Sequence, residues 1–330
     1  VKEADIRPED LLQRFLELCR EDAVRLFQEG PRRDIPCPAC GSGASRPAFE
    51  KWGFGYRECG ECSSLFQSPR PEPEQFARFY RESESSRYWA RTVFPAVAEA
   101  RREKLFRPKA ARAAELCRQA GLEVACLADV GAGQGVFLES WRERFPDCRC
   151  VAVEPHPDHA GVCRDKGFEV AECFAEDADG IAGRADLAVA LEVLEHVHDP
   201  LAFCRCMRGV VRPGGRVLLT GLCGDGFDIR VLWDRSRSVS PPQHINFPYL
   251  LGAVRLLERA GFEAVEVFTP GRLDVDIVRK AAAQDPGVLE GQRFTAALMD
   301  RDEATLERFQ DFLADNGLSS HLWLWARRPA

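Results

Sequence analysis

The sequence predicts an α/β protein in which a doubly wound sheet follows a small metal-binding module and carries extra helices. Three observations predict it. From about residue 124, short apolar runs of strand character alternate with helical stretches, the rhythm of buried parallel strands joined by helices. A glycine-rich turn closes the first of those runs in "LADVGAGQGVFLE", residues 127 to 139. Upstream, four cysteines stand in two C-x2-C pairs within a Gly- and Pro-rich stretch.

The 330 residues suggest roughly two domains. Apolar residues make up 45% and charged residues 29%, a globular balance, and no apolar run approaches the ~20 residues that cross a bilayer. No membrane partner is expected. The opening "VKEADIRPEDLLQRF" has no basic region followed by an apolar stretch, so the expected location is the cytoplasm. A net charge of -7 disfavours nucleic acid as a partner, because nonspecific affinity for it comes from Lys and Arg on phosphates. Of the 14 cysteines, ten are scattered through apolar or helical stretches and read as small reduced core residues.

Along the chain, residues 1–35 carry a lead-in helix, with Leu12, Phe15, Leu16, Cys19, Val24 and Phe27 near helical spacing and Gly30-Pro31 as its stop. Residues 36–73 are the cysteine module, too loose in composition to bury a core unaided. Residues 74–120 return to helix as a connector or lid. Residues 121–271 form the α/β core, with strands in "ACLADVGA", "CRCVAVEP", "FEVAE", "ADLAVAL" and "GRVLLTG". Residues 272–330 hold a helical insertion and a last strand in "SSHLWLWARRP".

Cys37 and Cys40, then Cys59 and Cys62, are two knuckles separated by eighteen residues. Four thiolates so spaced surround one tetrahedral zinc, and the hairpin between them carries Phe49, Trp52, Phe54 and Tyr56. A complete thiolate shell leaves no position for water, so the zinc is expected to be structural.

The turn Asp129-Val130-Gly131-Ala132-Gly133-Gln134-Gly135 is spaced G-x-G-x-G, not the G-x-G-x-x-G of dinucleotide sites, and no G-x-x-x-x-G-K-[ST] loop is present. Asp129 would repel a pyrophosphate and suits an ammonium. Nineteen residues beyond Gly135, Glu154 ends the second strand, where α/β nucleoside sites use a carboxylate on ribose hydroxyls. Both features fit S-adenosylmethionine, which is cationic and carries a free ribose.

With "DVGAGQG", "VAVEPHPD", "DLAVALEVLEHVHDP" and "VVRPGGRVLLT" in order, residues 105 to 270 resemble the class I S-adenosylmethionine-dependent methyltransferases. The resemblance implies a Rossmann-like, seven-stranded doubly wound sheet whose last strand is antiparallel. It implies that Gly131, Gly133 and Gly135 approach the methionyl part and that Asp129 supports that loop or its amine. Glu154, with Pro155 beside it, would bind ribose; Phe174 and Ala175 would flank adenine; Leu191 and Glu192 would line the sulfonium. From residue 37 onward, the "CPAC...CGEC" ribbon with "PPQHINF", "TPGRLDVDIV" and "LSSHLWLWARR" is similar to zinc-ribbon methyltransferases of sugar and other small-molecule biosynthesis. The implied acceptor is a small molecule such as a nucleotide-linked sugar.

Methyl transfer is an in-line displacement that needs alignment, and a base where the acceptor begins protonated. His244, in a Pro-rich loop beyond the fifth strand, is the candidate base; its alternative is a loop histidine bonded to backbone or packed on Phe247. His196 after the fourth strand and Glu192 at its tip are auxiliary candidates, with helix capping and loop anchoring as their alternatives. Arg235 or Arg237 could meet an anionic substrate group. Two rival functions stand beside this one: an RNA methyltransferase whose ribbon grips nucleic acid, and a non-catalytic S-adenosylmethionine-binding protein. The sequence is silent on whether the chain is a monomer or a homodimer.

Overall fold

The structure, a computed structural model, describes residues 2–330 apart from the side chains of residues 176 and 179. In chain order, helix α1 (Glu9–Phe27) leads into strands β1 (Ser45–Lys51), β2 (Phe54–Cys59) and β3 (Leu65–Gln67), then α2 (Pro73–Glu82) and α3 (Arg107–Gln119). The alternating region follows: β4 (Cys126–Val130), α4 (Val136–Arg142), β5 (Arg149–Val153), α5 (Pro157–Asp165), β6 (Glu169–Ala171), β7 (Ala185–Leu191), α6 (Pro200–Val210) and β8 (Val211–Leu222). The remainder includes β9 (Asn246–Phe247), α7 (Leu250–Arg259), β10 (Glu263–Phe268), α8 (Asp274–Gln284), α9 (Glu303–Asp315) and β11 (His321–Arg327).

The expected seven-stranded sheet is present, in the order β10-β11-β8-β7-β4-β5-β6. Strands β8, β7, β4, β5 and β6 pair in parallel, each with its neighbour. The sheet is mixed, and its last strand β11 is the antiparallel one. Buried on both faces, these strands read as continuous apolar runs, as in "CLADV" and "ADLAVAL", because helices cover both sides of a parallel sheet. A second sheet, β9-β3-β2-β1, is antiparallel where its register is defined.

The chain forms two compact units. One contains residues up to Val97 together with Leu222–Gly252 and Phe268–Leu322; the other contains Ala98–Gly221, Ala253–Val267 and Trp323–Ala330. Ribbon, lead-in helix and the stretch after β8 therefore share a unit. Its core joins Ala23, Leu26 and Phe27 of α1 to Phe54, Tyr56 and Leu65 of the ribbon and to Val239, Ile245 and Phe247. A further cluster, including Leu232, Val278, Leu306 and Leu313, fastens α8 and α9. In α1 the buried face runs through Leu12, Phe15, Cys19, Ala23 and Leu26, at steps of three and four. Val24, assigned to that face by spacing, is 55% exposed, since a residue one step past Ala23 turns ~100° away. Among the described residues no helix is long and apolar enough to cross a membrane.

Candidate functional site

In the α/β unit the cofactor candidates sit at the carboxyl ends of adjacent parallel strands: Asp129 in β4, Glu154 just past β5, Phe174 and Ala175 past β6, Leu191 and Glu192 at the end of β7. Open α/β sheets gather ligands there. The turn after β4 is tied to β5, since the Gly131 N–H donates to the Val153 carbonyl at 2.8 Å. The Gly133 N–H donates to a Glu154 carboxylate oxygen at 2.8 Å, and the other oxygen accepts the His156 N–H at 2.9 Å. The turn and the second-strand carboxylate are thus one structure.

Two of the three turn glycines have separate physical reasons. Gly135 has φ +71, and a Cβ there would come within 3.1 Å of Cys163 Sγ and 3.3 Å of the Phe168 ring, so this glycine lets α4 start close against α5. Gly133 has φ +55, yet a Cβ there would meet nothing within 4 Å. It borders the open space in which a ligand would lie.

Asp129 is buried, and burial, with the Glu154 charge adding to it, pushes its carboxyl up to about 8. Burial raises Glu154 as well, opposed by the amides of His156 and Gly133. A buried carboxyl that resists ionisation, with a second carboxyl beside it, favours a cation at the open turn, since a positive group within ~4–6 Å returns Asp129 to its charged form. Phosphate would compound the penalty.

At the tip of β7, Glu192 has φ +58, outside the usual region for its residue type. Its N–H donates to the Thr220 carbonyl at 2.9 Å, and its carboxylate accepts from Thr220 Oγ1 at 2.7 Å and from Lys109 Nζ at 2.6 Å. Lys109, from α3, is almost fully buried. Its place in the Arg- and Lys-rich "REKLFRPKAAR" suggests a solvated face instead. The signal against that was the run Ala113, Leu116, Cys117 at four, seven and eight residues on, which shares its helix face and is buried. His196 lies in a turn, half-buried, its N–H donating to the Val193 carbonyl. The cap of α6 is Asp199, whose carboxylate accepts the Leu201 and Ala202 amides at 3.0 Å, so capping is not the task of His196. Phe174 is 57% exposed, leading a short turn that begins at Ala175.

In the ribbon unit, the four Sγ atoms of Cys37, Cys40, Cys59 and Cys62 lie within 4.8 Å of one another. The Cys37–Cys62 and Cys40–Cys59 pairs are 3.6 and 3.5 Å apart. Four sulfurs at the usual ~2.3 Å from one zinc would stand about 3.8 Å apart, so the cluster fits a tetrahedral metal with little adjustment. Each knuckle is closed by a backbone bond, Gly41 N–H to Cys37 O and Ser63 N–H to Cys59 O. The Glu61 N–H also points at Cys59 Sγ, 3.4 Å away, as suits a thiolate.

His244 belongs to this unit. Its Nδ1 stands 2.6 Å from the Ser238 carbonyl oxygen, which can only accept, so Nδ1 carries a proton and Nε2 is the nitrogen left to exchange one. Its ring also meets Phe247 edge-on at 6.4 Å. Arg237 is held by Glu9 through two bonds of 3.0 and 2.6 Å, and Arg235 is 3.5 Å from Asp285.

Mixed seven-stranded sheet, carboxyl-flanked glycine turn and second-strand carboxylate together define the class I fold of S-adenosylmethionine-dependent methyltransferases. Residues 97–267, just over half of the chain, match the family model of a methyltransferase domain, and the chain belongs to that family. It is 32% identical over 110 residues to the ubiquinone biosynthesis O-methyltransferase of Pseudomonas paraeruginosa, covering 31% of this chain and 46% of that protein. To the enzyme of the same name from Pectobacterium atrosepticum it is 29% identical over 163 residues, covering 47% and 63%. The chain spans less than two thirds of the length of these curated relatives. A Thermotoga maritima structure described as a possible histamine N-methyltransferase overlaps 73% of this chain and 97% of its own, at 14% identity and a TM-score of 0.48.

Proposed function

We propose that the protein transfers the methyl group of S-adenosylmethionine to a small-molecule acceptor, with a nucleotide-linked sugar as the acceptor class. The observation that carries the reading is the pair of buried carboxyls, Asp129 and Glu154, around a glycine turn that borders open space. Asp129 takes the ammonium of the methionyl group and Glu154 the ribose hydroxyls, with Gly131, Gly133 and Gly135 letting the chain approach and Pro155 following. Phe174 and Ala175 flank the adenine, and Leu191 lines the sulfonium. Cys37, Cys40, Cys59 and Cys62 hold a structural zinc, whose contribution is rigidity.

The transfer itself is a displacement at the methyl carbon: the acceptor's electron pair forms the new bond while the C–S bond breaks and S-adenosylhomocysteine leaves. No protein nucleophile is required. An acceptor hydroxyl, or a carbon acid beside a ketone, must lose a proton, and we assign that task to Nε2 of His244. Glu192, bonded to Lys109 and Thr220, is given a positioning role at the tip of β7, with His196 as an auxiliary.

The test is methyl transfer from labelled S-adenosylmethionine to a panel of nucleotide sugars, free sugars and phenols. Label in a nucleotide sugar supports the acceptor class; label only in phenols overturns it. His244→Gln should lower turnover by about 10²–10⁴-fold with donor affinity intact, the usual worth of a general base. Undiminished turnover would remove the assignment.

A further inference from the structure

Beside the bonds from Gln243 to Cys19 Sγ and Ser85 Oγ, both at 3.5 Å, the His244 loop is held in the ribbon unit by a series of bonds from the neighbourhood of the four cysteines. β9 is the edge strand of the ribbon sheet, with Asn246 opposite Phe66 and Phe247 opposite Leu65. The Gln67 N–H donates to the Ile245 carbonyl at 2.9 Å. The Tyr56 hydroxyl donates to the carbonyl of His244 itself at 2.7 Å. Arg70 donates to Asn246 Oδ1 at 2.8 Å and to the Ile245 carbonyl at 3.2 Å, and Lys51, on the ribbon hairpin, donates to the Ser236 carbonyl at 2.8 Å.

Tyr56 and Arg70 are 1% and 2% exposed, so these bonds are shielded from water, and burial keeps the Tyr56 phenol protonated as a donor. Past β9, the Tyr249 N–H donates to Ser64 Oγ at 3.0 Å, and Ser64 Oγ is 3.3 Å from Cys62 Sγ. At Gly252 a Cβ would come within 2.1 Å of Ser64 Oγ and 3.2 Å of Cys62 Sγ, so the chain is pressed onto the second knuckle. The ribbon thus meets the loop repeatedly, at residues 236, 244 to 246, 249 and 252.

We propose that the loaded four-cysteine ribbon is the device that holds His244 in place, with Tyr56 and Arg70 as the positioning residues that convey it. The inference rests on the reading of His244 as base and of the cysteines as a metal site. Small metal modules are ordered by their ion, and a two-residue edge strand has no stability apart from its partner. Losing the metal releases β3, and with it β9 and the loop.

The test uses the full chain and hydrogen exchange followed by mass spectrometry, before and after zinc is stripped with a chelator. Stripping should speed exchange in the 243–249 peptide about ten-fold or more while strands 126–130 and 149–153 hold their protection. Tyr56→Phe should keep one zinc per chain, speed exchange in the same peptide about five-fold, the worth of one net hydrogen bond, and lower kcat with KM for the donor unchanged. Where stripping also frees helix 274–284, the Tyr56→Phe result decides. A 243–249 peptide still protected once the 56–67 peptide exchanges freely, or Tyr56→Phe exchange equal to wild type, overturns the proposal. Full turnover by His244→Gln with a metal-dependent loop would instead sink the base assignment and leave the coupling standing.

Discussion

Asp129→Asn tests the charge logic of the cofactor site with two independent readouts. In the ligand-free protein burial lifts the Asp129 carboxyl from 3.8 to about 8. A raised acid destabilises the fold only where the unfolded chain is ionised and the folded one is not, so its contribution is intact below pH 3.8 and is lost as pH rises toward 8. Between pH 4 and 7 that amounts to about three pH units at 1.36 kcal/mol each, or ~4 kcal/mol as a ceiling, of which relaxation should leave about 2. Urea unfolding of both proteins should therefore show Asp129→Asn gaining about 2 kcal/mol on wild type between pH 4 and pH 7. Binding runs the other way. An ammonium beside Asp129 draws it back to the carboxylate, so wild type should release close to one proton per S-adenosylmethionine bound near pH 7, and the Asn variant none. Loss of a charged hydrogen bond, ~1.5–3 kcal/mol, predicts roughly 10–100-fold weaker binding. Calorimetry in buffers of different ionisation enthalpy measures both. Equal affinities, or a stability difference flat with pH, would refute the reasoning.

Gly133→Ala should cost about 1 kcal/mol of stability, from backbone strain alone, yet abolish measurable donor binding, because its methyl enters the ligand's space. Gly135→Ala should cost more stability, with its Cβ pressed on Cys163 and Phe168, a difference thermal melts will order. Lys109→Met leaves the Glu192 carboxylate with Thr220 and without its cation, so about 1–2 kcal/mol should vanish in urea titrations, discounted from the deep-burial value because Glu192 is partly exposed. Glu192→Gln strands the more deeply buried Lys109 ammonium without a counter-charge and should lose more. Wild-type stability in both variants would show that the ion pair is not what fixes the strand tip.

What could be read in advance was local in sequence. The two cysteine knuckles sit on one hairpin, and the glycine turn and the second-strand carboxylate on one strand-helix-strand unit, so the geometry of a single supersecondary unit places each. The alternation of strands and helices was legible because both faces of the sheet are buried. Long-range pairing was not. That "HINF" would become an edge strand of the ribbon depends on Phe66 and Leu65, some 180 residues earlier, and two residues are too few to show a period. In the sequence Tyr56 is one of four aromatics on the hairpin and nothing marks Arg70; only the fold turns the first into a donor to His244 and buries the second. Lys109 was legible in part, from the apolar face it shares.

One unit is stitched from three stretches of chain, with Leu222–Gly252 and Phe268–Leu322 completing what the first 97 residues begin. An engineer who cut at residue 97 to graft the ribbon onto another transferase would take β3 without β9 and Phe54 and Leu65 without Ile245 and Phe247. Chimeras should exchange residues 222–252 along with the amino-terminal segment. Swaps that respect linear boundaries should yield insoluble product, and those that respect the spatial grouping should express.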